Sequence, residues 1–167
     1  TLDGEWQDLF EYNVQVDMDN VQDATMVQFD MGCPVEVMVK KNNGTVRDVA
    51  IRPTREEIRY EQHGNVITFR MDTPRYLSVE FNGDRLHNLH LFANPLETET
   101  YSESREGVMY FGPGVHRPKD LPNNQIRVPS HTTVYLAPGA VLKAKLLVDK
   151  AEDVRILGRG ILDHPIR

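Results

Sequence analysis

Residues 134–163 read VYLAPGAVLKAKLLVDKAEDVRILGRGILD, and this stretch carries the strongest indication of the fold. Its apolar residues recur with a constant offset in the sequence. The matched positions are Val134 with Val154, Leu136 with Ile156, and Val141 with Ile161. Glycines separate the apolar pairs of each copy, as expected where a chain turns a sharp corner with positive φ. A strand–turn–strand unit repeated at this short period predicts coils of a parallel β-helix.

The same pattern extends towards the N-terminus. Residues 108–118 read VMYFGPGVHRP, which we interpret as an earlier and longer coil. We therefore assign 108–167 to the start of a parallel β-helix that is incomplete. The run ETETYSESRE at 97–106 contains no aliphatic residue. A polar segment without periodicity predicts a linker, which we place at 96–107.

Residues 1–95 contain about seven short strand-like segments at intervals of roughly ten residues, a pattern typical of an antiparallel β-sandwich. In the segment 35–40, Val35, Val37 and Val39 fall on one face, as in a half-buried strand. Asn43-Gly44 predicts a tight hairpin turn that joins this strand to a return strand at 45–51. Further turns are predicted at Gly64-Asn65 and Asn82-Gly83. The expected fold is all-β, a sandwich followed by β-helix coils.

Composition narrows the classes of function. The 167 residues are 40% hydrophobic and carry a net charge of −6 without a basic stripe, so nucleic acid is not a predicted partner. No apolar run approaches the roughly 20 residues of a membrane-spanning helix, so no membrane association is predicted. Cys33 is the single cysteine, which excludes an internal disulfide and a cysteine-based zinc site.

Three segments together resemble the opening coils of right-handed parallel β-helix polysaccharide hydrolases. They are YFGPGVH (110–116), VYLAPGAVLKAKL (134–146) and VRILGRGILD (154–163). The relevant groups are glycoside hydrolase family 28, the polygalacturonases, and family 49, the dextranases and isopullulanase. A sandwich followed by the helix is more similar to family 49. Residues 79–97 (VEFNGDRLHNLHLFANPLE) resemble the end of that family's N-terminal module.

The resemblance implies the N-terminal portion of a secreted, bacterial glycoside hydrolase that cleaves a polysaccharide with inversion. In these families the catalytic aspartates lie on later coils, so no catalytic residue is carried over and the isolated chain is expected to be inactive. No metal or other cofactor is implied. The expected partners are the polysaccharide and the remainder of the β-helix, from the same gene or another chain. The net negative charge favours a neutral glucan over polyanionic pectin.

Two other functions remain open from the sequence. The first is a non-catalytic carbohydrate-binding or adhesin module whose sandwich carries the binding surface. The second is a polysaccharide lyase built on the same helix. A lyase often uses calcium or basic residues beside the scissile uronate, and neither an acidic calcium cluster nor a paired Lys/Arg cleft is evident in the sequence.

Aromatic side chains are the candidate sugar-binding groups, because a planar ring can stack on a pyranose. The residues considered are Trp6, Tyr101, Tyr110 and Tyr135. Most aromatic residues of a globular domain belong to its core. Tyr101 lies in the most polar surroundings, so it is the surface candidate for substrate binding.

Other polar groups have simpler interpretations. Asp163-His164 could transfer a proton, but an aspartate at a coil corner more often caps the backbone. Asn43-Gly44-Thr45 matches a glycosylation acceptor, although the hairpin accounts for the Asn-Gly pair. Four acidic residues of the polar run could supply an inverting pair, yet a linker does not hold carboxylates rigidly. They are Glu97, Glu99, Glu103 and Glu106.

The two histidines of 86–92 are the remaining candidates for metal binding. His87 and His90 are at an odd separation on a predicted strand. Side chains at odd separations face opposite sides of a sheet, so the pair cannot chelate one ion. We expect one exposed and one half-buried histidine, and no metal site.

Overall fold

The computed structural model describes residues 4–17, 19–119 and 121–163, and these residues form an all-β protein with five sheets. Two short 3-10 helices, Thr54–Glu56 and Pro122–Asn124, are the helical elements of the described residues. None of the described helices is long and apolar enough to cross a membrane. The chain divides between Glu97 and Thr98 into two compact units, which we call unit 1 and unit 2.

The described residues of unit 1 form eight strands in two sheets. The strands are β1 (Tyr12–Val16), β2 (Gln22–Met31), β3 (Val35–Lys40), β4 (Val49–Arg52), β5 (Tyr60–His63), β6 (Val66–Met71), β7 (Tyr76–Phe81) and β8 (Asp84–Pro95). One sheet has the order β1-β2-β8-β7-β4 and the other has the order β3-β6-β5. Strands β2 and β8 pair in parallel, so the five-stranded sheet is mixed and the antiparallel expectation is wrong for that pair.

The two sheets of unit 1 share one hydrophobic core, formed by the alternate side chains of each strand. In β6, Ile67, Phe69 and Met71 are buried, whereas the intervening residues are more exposed. In the other sheet, β7 contributes Leu77 and Val79 in the same alternating way. Because the period is two, the residues between the core positions of β7 and β8 form the opposite, outer face of that sheet.

The hairpin predicted at Asn43-Gly44 is wrong. Strand β3 pairs with β6, and β4 pairs with β7 in the other sheet, so the chain crosses between the sheets after residue 44. Gly44 does adopt positive φ, but residues 45–48 form no strand. The turns at Gly64-Asn65 and Asn82-Gly83 are confirmed as hairpins, the latter with positive φ at both residues. The residues of a turn do not determine which distant strand pairs with the strand beside that turn.

Unit 2 consists of short strands that pair in parallel with their equivalents in the next repeat. The strands are β9 (Val108–Phe111), β10 (Gly114–His116), β11 (Gln125–Arg127), β12 (Thr133–Leu136), β13 (Ala140–Leu142), β14 (Lys145–Leu147), β15 (Arg155–Gly158) and β16 (Ile161–Leu162). They form three sheets with the orders β15-β12-β9, β10-β13-β16 and β11-β14. The first repeat is the longer one, because Thr133 pairs with Val108 before it and with Arg155 after it.

The constant offset expected from the sequence holds for only part of the repeat. It is observed in β13, where Val141 pairs with Ile161 as predicted. It is wrong for β12, where the partner of Val134 is Ile156 rather than Val154. The connection before β15 covers residues 148–154 and is longer than the connection at 128–132 before β12. Extra residues in a loop shift the register of one sheet without changing the others.

Side chains at paired positions of these strands stack into columns inside unit 2. Val134, Leu142 and Ala144 are buried in its core. The last described residues of two columns are about half exposed. Ile156 follows Val134 in its column and is 51% exposed, and Leu162 follows Leu142 and is 47% exposed. The described residues of unit 2 therefore end on an apolar surface, which we call the open layer.

Candidate functional site

Tyr101 lies in an aromatic stack on unit 2. Its ring is stacked on Tyr135 with centroids 4.6 Å apart, and Tyr135 is stacked on Tyr110 at 5.7 Å. Tyr110 and Tyr135 are paired residues of β9 and β12, so their strands hold the two rings one above the other. The sequence placed Tyr101 in a linker. Its ring is instead anchored to a strand of unit 2.

The other groups around Tyr101 are charged. The guanidinium of Arg105 lies 4.7 Å from the centre of the ring, and the hydroxyl of Tyr101 donates to Glu99 Oε2 at 3.0 Å. The Tyr101 hydroxyl, and then Arg105, lower the pKa of Glu99. Loss of water around the hydroxyl, and the Glu99 carboxylate, raise the pKa of Tyr101. Tyr135 and Arg105 both lie against the ring of Tyr101, so part of its surface is already in contact with the protein.

The four acidic residues of the polar run are all exposed. A general acid of an inverting pair needs a raised pKa, whereas the pKa of Glu99 is lowered. The arrangement of Glu99 with Tyr101 and Arg105 therefore favours a structural contact that holds the segment in place. Glu103 and Glu106 lie on the same exposed segment.

Asp163 forms an ion pair with a residue of the preceding repeat. Its carboxylate accepts a hydrogen bond from Lys143 Nζ, a residue one repeat earlier, and its N–H donates to the carbonyl of Leu142. The pair joins the corners of neighbouring repeats. His164, the other half of the predicted pair, lies outside the described residues.

His87 and His90 occupy different surroundings, as the strand period predicts. His87 is exposed and its Nδ1 lies 2.8 Å from Asp84 Oδ2. The N–H groups of His87 and Leu86, together with that imidazole, lower the pKa of Asp84 to about 2. His90 is half-buried on the outer face of the five-stranded sheet. Among the described residues, no group of three or more potential ligands is arranged to hold a metal ion.

Three rings form a cluster on the outer face of the five-stranded sheet, and we call it the Tyr76 cluster. Tyr76 and Phe92 are paired across β7 and β8, with their rings edge to face at 5.3 Å. His90 lies two positions before Phe92 and is roughly parallel to it at 6.5 Å. Tyr76 is 58% exposed. The sequence did not single out Tyr76, although its alternation with Leu77 and Val79 was the available signal.

Polar side chains surround the Tyr76 cluster and fix its geometry. The Tyr76 hydroxyl donates to Asn94 Oδ1 at 3.1 Å, and Asn88 Nδ2 donates to Ser78 Oγ at 2.7 Å. Asn88 is 7% exposed, and its Oδ1 atom has no hydrogen-bond partner among the described residues. A buried amide oxygen without a partner is rare in folded proteins.

Arg52 and Glu80, two charged groups on the same face, are paired with each other. Arg52 Nε lies 3.0 Å from both carboxylate oxygens of Glu80, which is 6% exposed. Arg52 and Ser78 are paired across β4 and β7, so this ion pair borders the cluster. The pair contributes no net charge to the face.

A cleft in unit 1 lies beside the edge strand β3. This cleft has a volume of about 820 Å³ and includes Trp6, Val27, Phe29 and Lys40 in its lining. Trp6 is 53% exposed. Of the four aromatics considered from the sequence, Trp6 therefore has the most accessible ring surface next to a cleft.

The comparisons with known proteins assign no family. No protein-family model matches the chain. No curated protein sequence matches it. The chemistry of the described residues is therefore the basis for a functional proposal.

Proposed function

We propose that this chain is the N-terminal portion of a secreted glycoside hydrolase that cleaves a polysaccharide. In this proposal unit 1 is a β-sandwich and unit 2 is the first coils of a right-handed parallel β-helix. The observation that carries the proposal is the parallel pairing of β9, β12 and β15, in which Val134 lies in register between Met109 and Ile156. The resemblance of 110–116, 134–146 and 154–163 to families 28 and 49 supplies the reaction class.

The open layer supports the idea that more coils stack on unit 2. Ile156 and Leu162 continue columns of buried side chains, yet about half of each is exposed. Apolar surface of this kind is stabilised by burial under another layer. The proposed partner is therefore the remainder of the β-helix, which carries the acid and base aspartates.

The hydrolase proposal is tested with two proteins. The 167-residue chain should release no reducing sugar from dextran, pullulan or polygalacturonate. The product of the complete reading frame should hydrolyse a polysaccharide, and proton NMR of the first products should show the inverted anomer. Hydrolysis by the 167-residue chain would show that it contains catalytic residues, contrary to the proposal. Products with a retained anomer would refute the inverting mechanism. No hydrolysis by the complete product would refute the hydrolase proposal itself.

A non-catalytic carbohydrate-binding function is the second candidate. The Tyr76 cluster favours it, because an exposed tyrosine ring beside two half-buried rings, bordered by amides and a hydroxyl, suits a pyranose. Binding of a polysaccharide without hydrolysis by the complete reading-frame product would favour this candidate. The two functions are compatible if unit 1 binds the glycan that later coils cleave.

A further inference from the structure

We propose that the outer face of the five-stranded sheet in unit 1 is a binding site for a neutral polysaccharide, centred on the Tyr76 cluster. The inference takes the ligand class from the proposed function, but it concerns a different surface and requires no catalysis. It assigns the sugar-stacking role to Tyr76 rather than to Tyr101.

The first step in the argument is the exposure and fixed orientation of Tyr76. More than half of its surface is accessible, yet its hydroxyl is bound to Asn94 and its ring contacts Phe92. A flexible exposed side chain loses conformational entropy on binding a ligand. A ring that is already held in place loses less of it, so it is pre-organised for binding.

The second step is the arrangement of apolar and polar groups. His90 and Phe92 extend the aromatic surface along β8, and Ser78 lies directly opposite His90 on β7. Neighbouring strands are about 4.8 Å apart, so the aromatic rings of β8 and the hydroxyl of Ser78 on β7 lie close to each other on this face. A protein partner favours a continuous apolar patch at the centre of its interface. A pyranose has an apolar face edged by hydroxyls, and it matches the alternation seen here.

The third step is the unpartnered end of the Asn88 amide. Asn88 Nδ2 donates to Ser78 Oγ, whereas Asn88 Oδ1 has no hydrogen-bond partner among the described residues. A buried polar atom without a partner destabilises the free protein. This oxygen is not accessible in the free protein, so a sugar hydroxyl that enters beside Ser78 reaches it only when the covering side chains move, and the hydroxyl then donates to it.

The fourth step concerns charge. Glu80 and Arg52 neutralise each other at the border of the cluster, and the whole chain carries a net charge of −6. A polyuronate would be repelled by the net negative charge, whereas a neutral glucan would not. The net charge of the chain therefore favours a neutral glycan.

The experiment measures binding by the 167-residue chain in native gels containing dextran, pullulan or polygalacturonate. We expect retardation by dextran or pullulan and none by polygalacturonate. Tyr76→Ala should weaken binding about tenfold, the size of effect typical of an aromatic anchor. Tyr76→Phe keeps the ring and should retain most of the affinity. Trp6→Ala, an exposed aromatic of the β3 cleft, is the matched control and should bind normally.

A thermal melt of each variant establishes that it is folded. If Tyr76→Ala fails to fold, Ser78→Ala removes only a hydroxyl from the same face and should weaken binding about threefold. The proposal is overturned if the wild-type chain binds neither neutral glucan, if folded Tyr76→Ala binds normally, or if Trp6→Ala is the variant that loses binding. Hydrolysis by the complete protein without glucan binding by the 167-residue chain would refute this site and leave the proposed function intact.

Discussion

A Cβ atom added to Gly158 would lie 1.9 Å from the carbonyl oxygen of Leu136, the residue paired with it in the neighbouring strand. Backbone of one repeat is therefore in direct contact with backbone of the next at this corner. Gly158 also has a φ of +116°, which side chains other than hydrogen disfavour. The close spacing of the repeats in unit 2 depends on this glycine.

Gly158→Ala should lower the free energy of unfolding by at least about 2 kcal/mol, because the strands must separate to admit the methyl group. Gly114→Ala is the control, since Gly114 has a φ of +119° and no atom within 4 Å of the added Cβ. Urea denaturation of both variants separates steric clash from backbone strain. Equal destabilisation would contradict the close contact at Leu136.

Tyr101→Ala should release the segment that precedes β9, because Tyr101 is its aromatic contact with Tyr135. We expect trypsin to cleave the variant after Arg105 severalfold faster than the wild type. Tyr101→Phe keeps the stack and removes the hydrogen bond to Glu99, so its cleavage should stay close to the wild-type rate. Rapid cleavage of the wild-type chain at Arg105 would show that the segment is a flexible linker after all.

The open layer should cause self-association of the isolated chain. Sedimentation velocity is expected to show species larger than the monomer that increase with concentration. Ile156→Lys and Leu162→Lys place a charge on the exposed apolar columns and should shift the chain towards monomer. Val115→Lys is the control, because Val115 is 60% exposed but lies on the outward side of β10. A monodisperse wild-type monomer would argue against an incomplete stack.

The interaction of Asp84 with His87 makes a small contribution to stability that depends on pH. The pKa of Asp84 is lowered from 3.8 to about 2, so its contribution is fully present above the higher value. It is lost as the pH falls through the lower value, because protonation removes the charge-assisted hydrogen bonds. Both side chains are substantially exposed, so the effect is reduced by solvent screening.

Asp84→Asn should therefore be less stable than the wild type at pH 5, and the difference in melting temperature should narrow towards pH 2. Asp72→Asn serves as a control for loss of one exposed carboxylate that is paired with an arginine, Arg70. A difference between wild type and Asp84→Asn that stays constant over this range would contradict the assignment.

Some features of the fold were predictable because they are local. The hairpin at Asn82-Gly83 follows from residues that adopt positive φ, and the burial of Ile67 and Phe69 follows from a period of two. The pairing of β3 with β6 was not predictable in this way, because Lys40 and Val66 are distant in the sequence. The hairpin expected at Asn43-Gly44 failed for the same reason.

In the candidate binding surface, too, local sequence predicted some features and the pairing of distant strands determined the others. Tyr101 was chosen from its polar neighbours in the sequence, but its ring is partly occupied by contacts with Tyr135 and Arg105. Tyr76 and Phe92 are separated along the chain, and only the register of β7 with β8 brings their rings together. Composition around a residue indicates whether it can be exposed. It does not indicate which rings meet on one face.

By itself the sequence determined that the protein is all-β, and that parallel strands recur where apolar residues and glycines recur in 134–163. Those properties depend on backbone conformation and on burial with a short period, which neighbouring residues set. The tertiary structure alone decided the mixed sheet of unit 1, the pairing of Val134 with Ile156, and the position of the Tyr76 cluster. These depend on pairing between distant segments, where hydrogen bonds and core packing over the whole unit select one register.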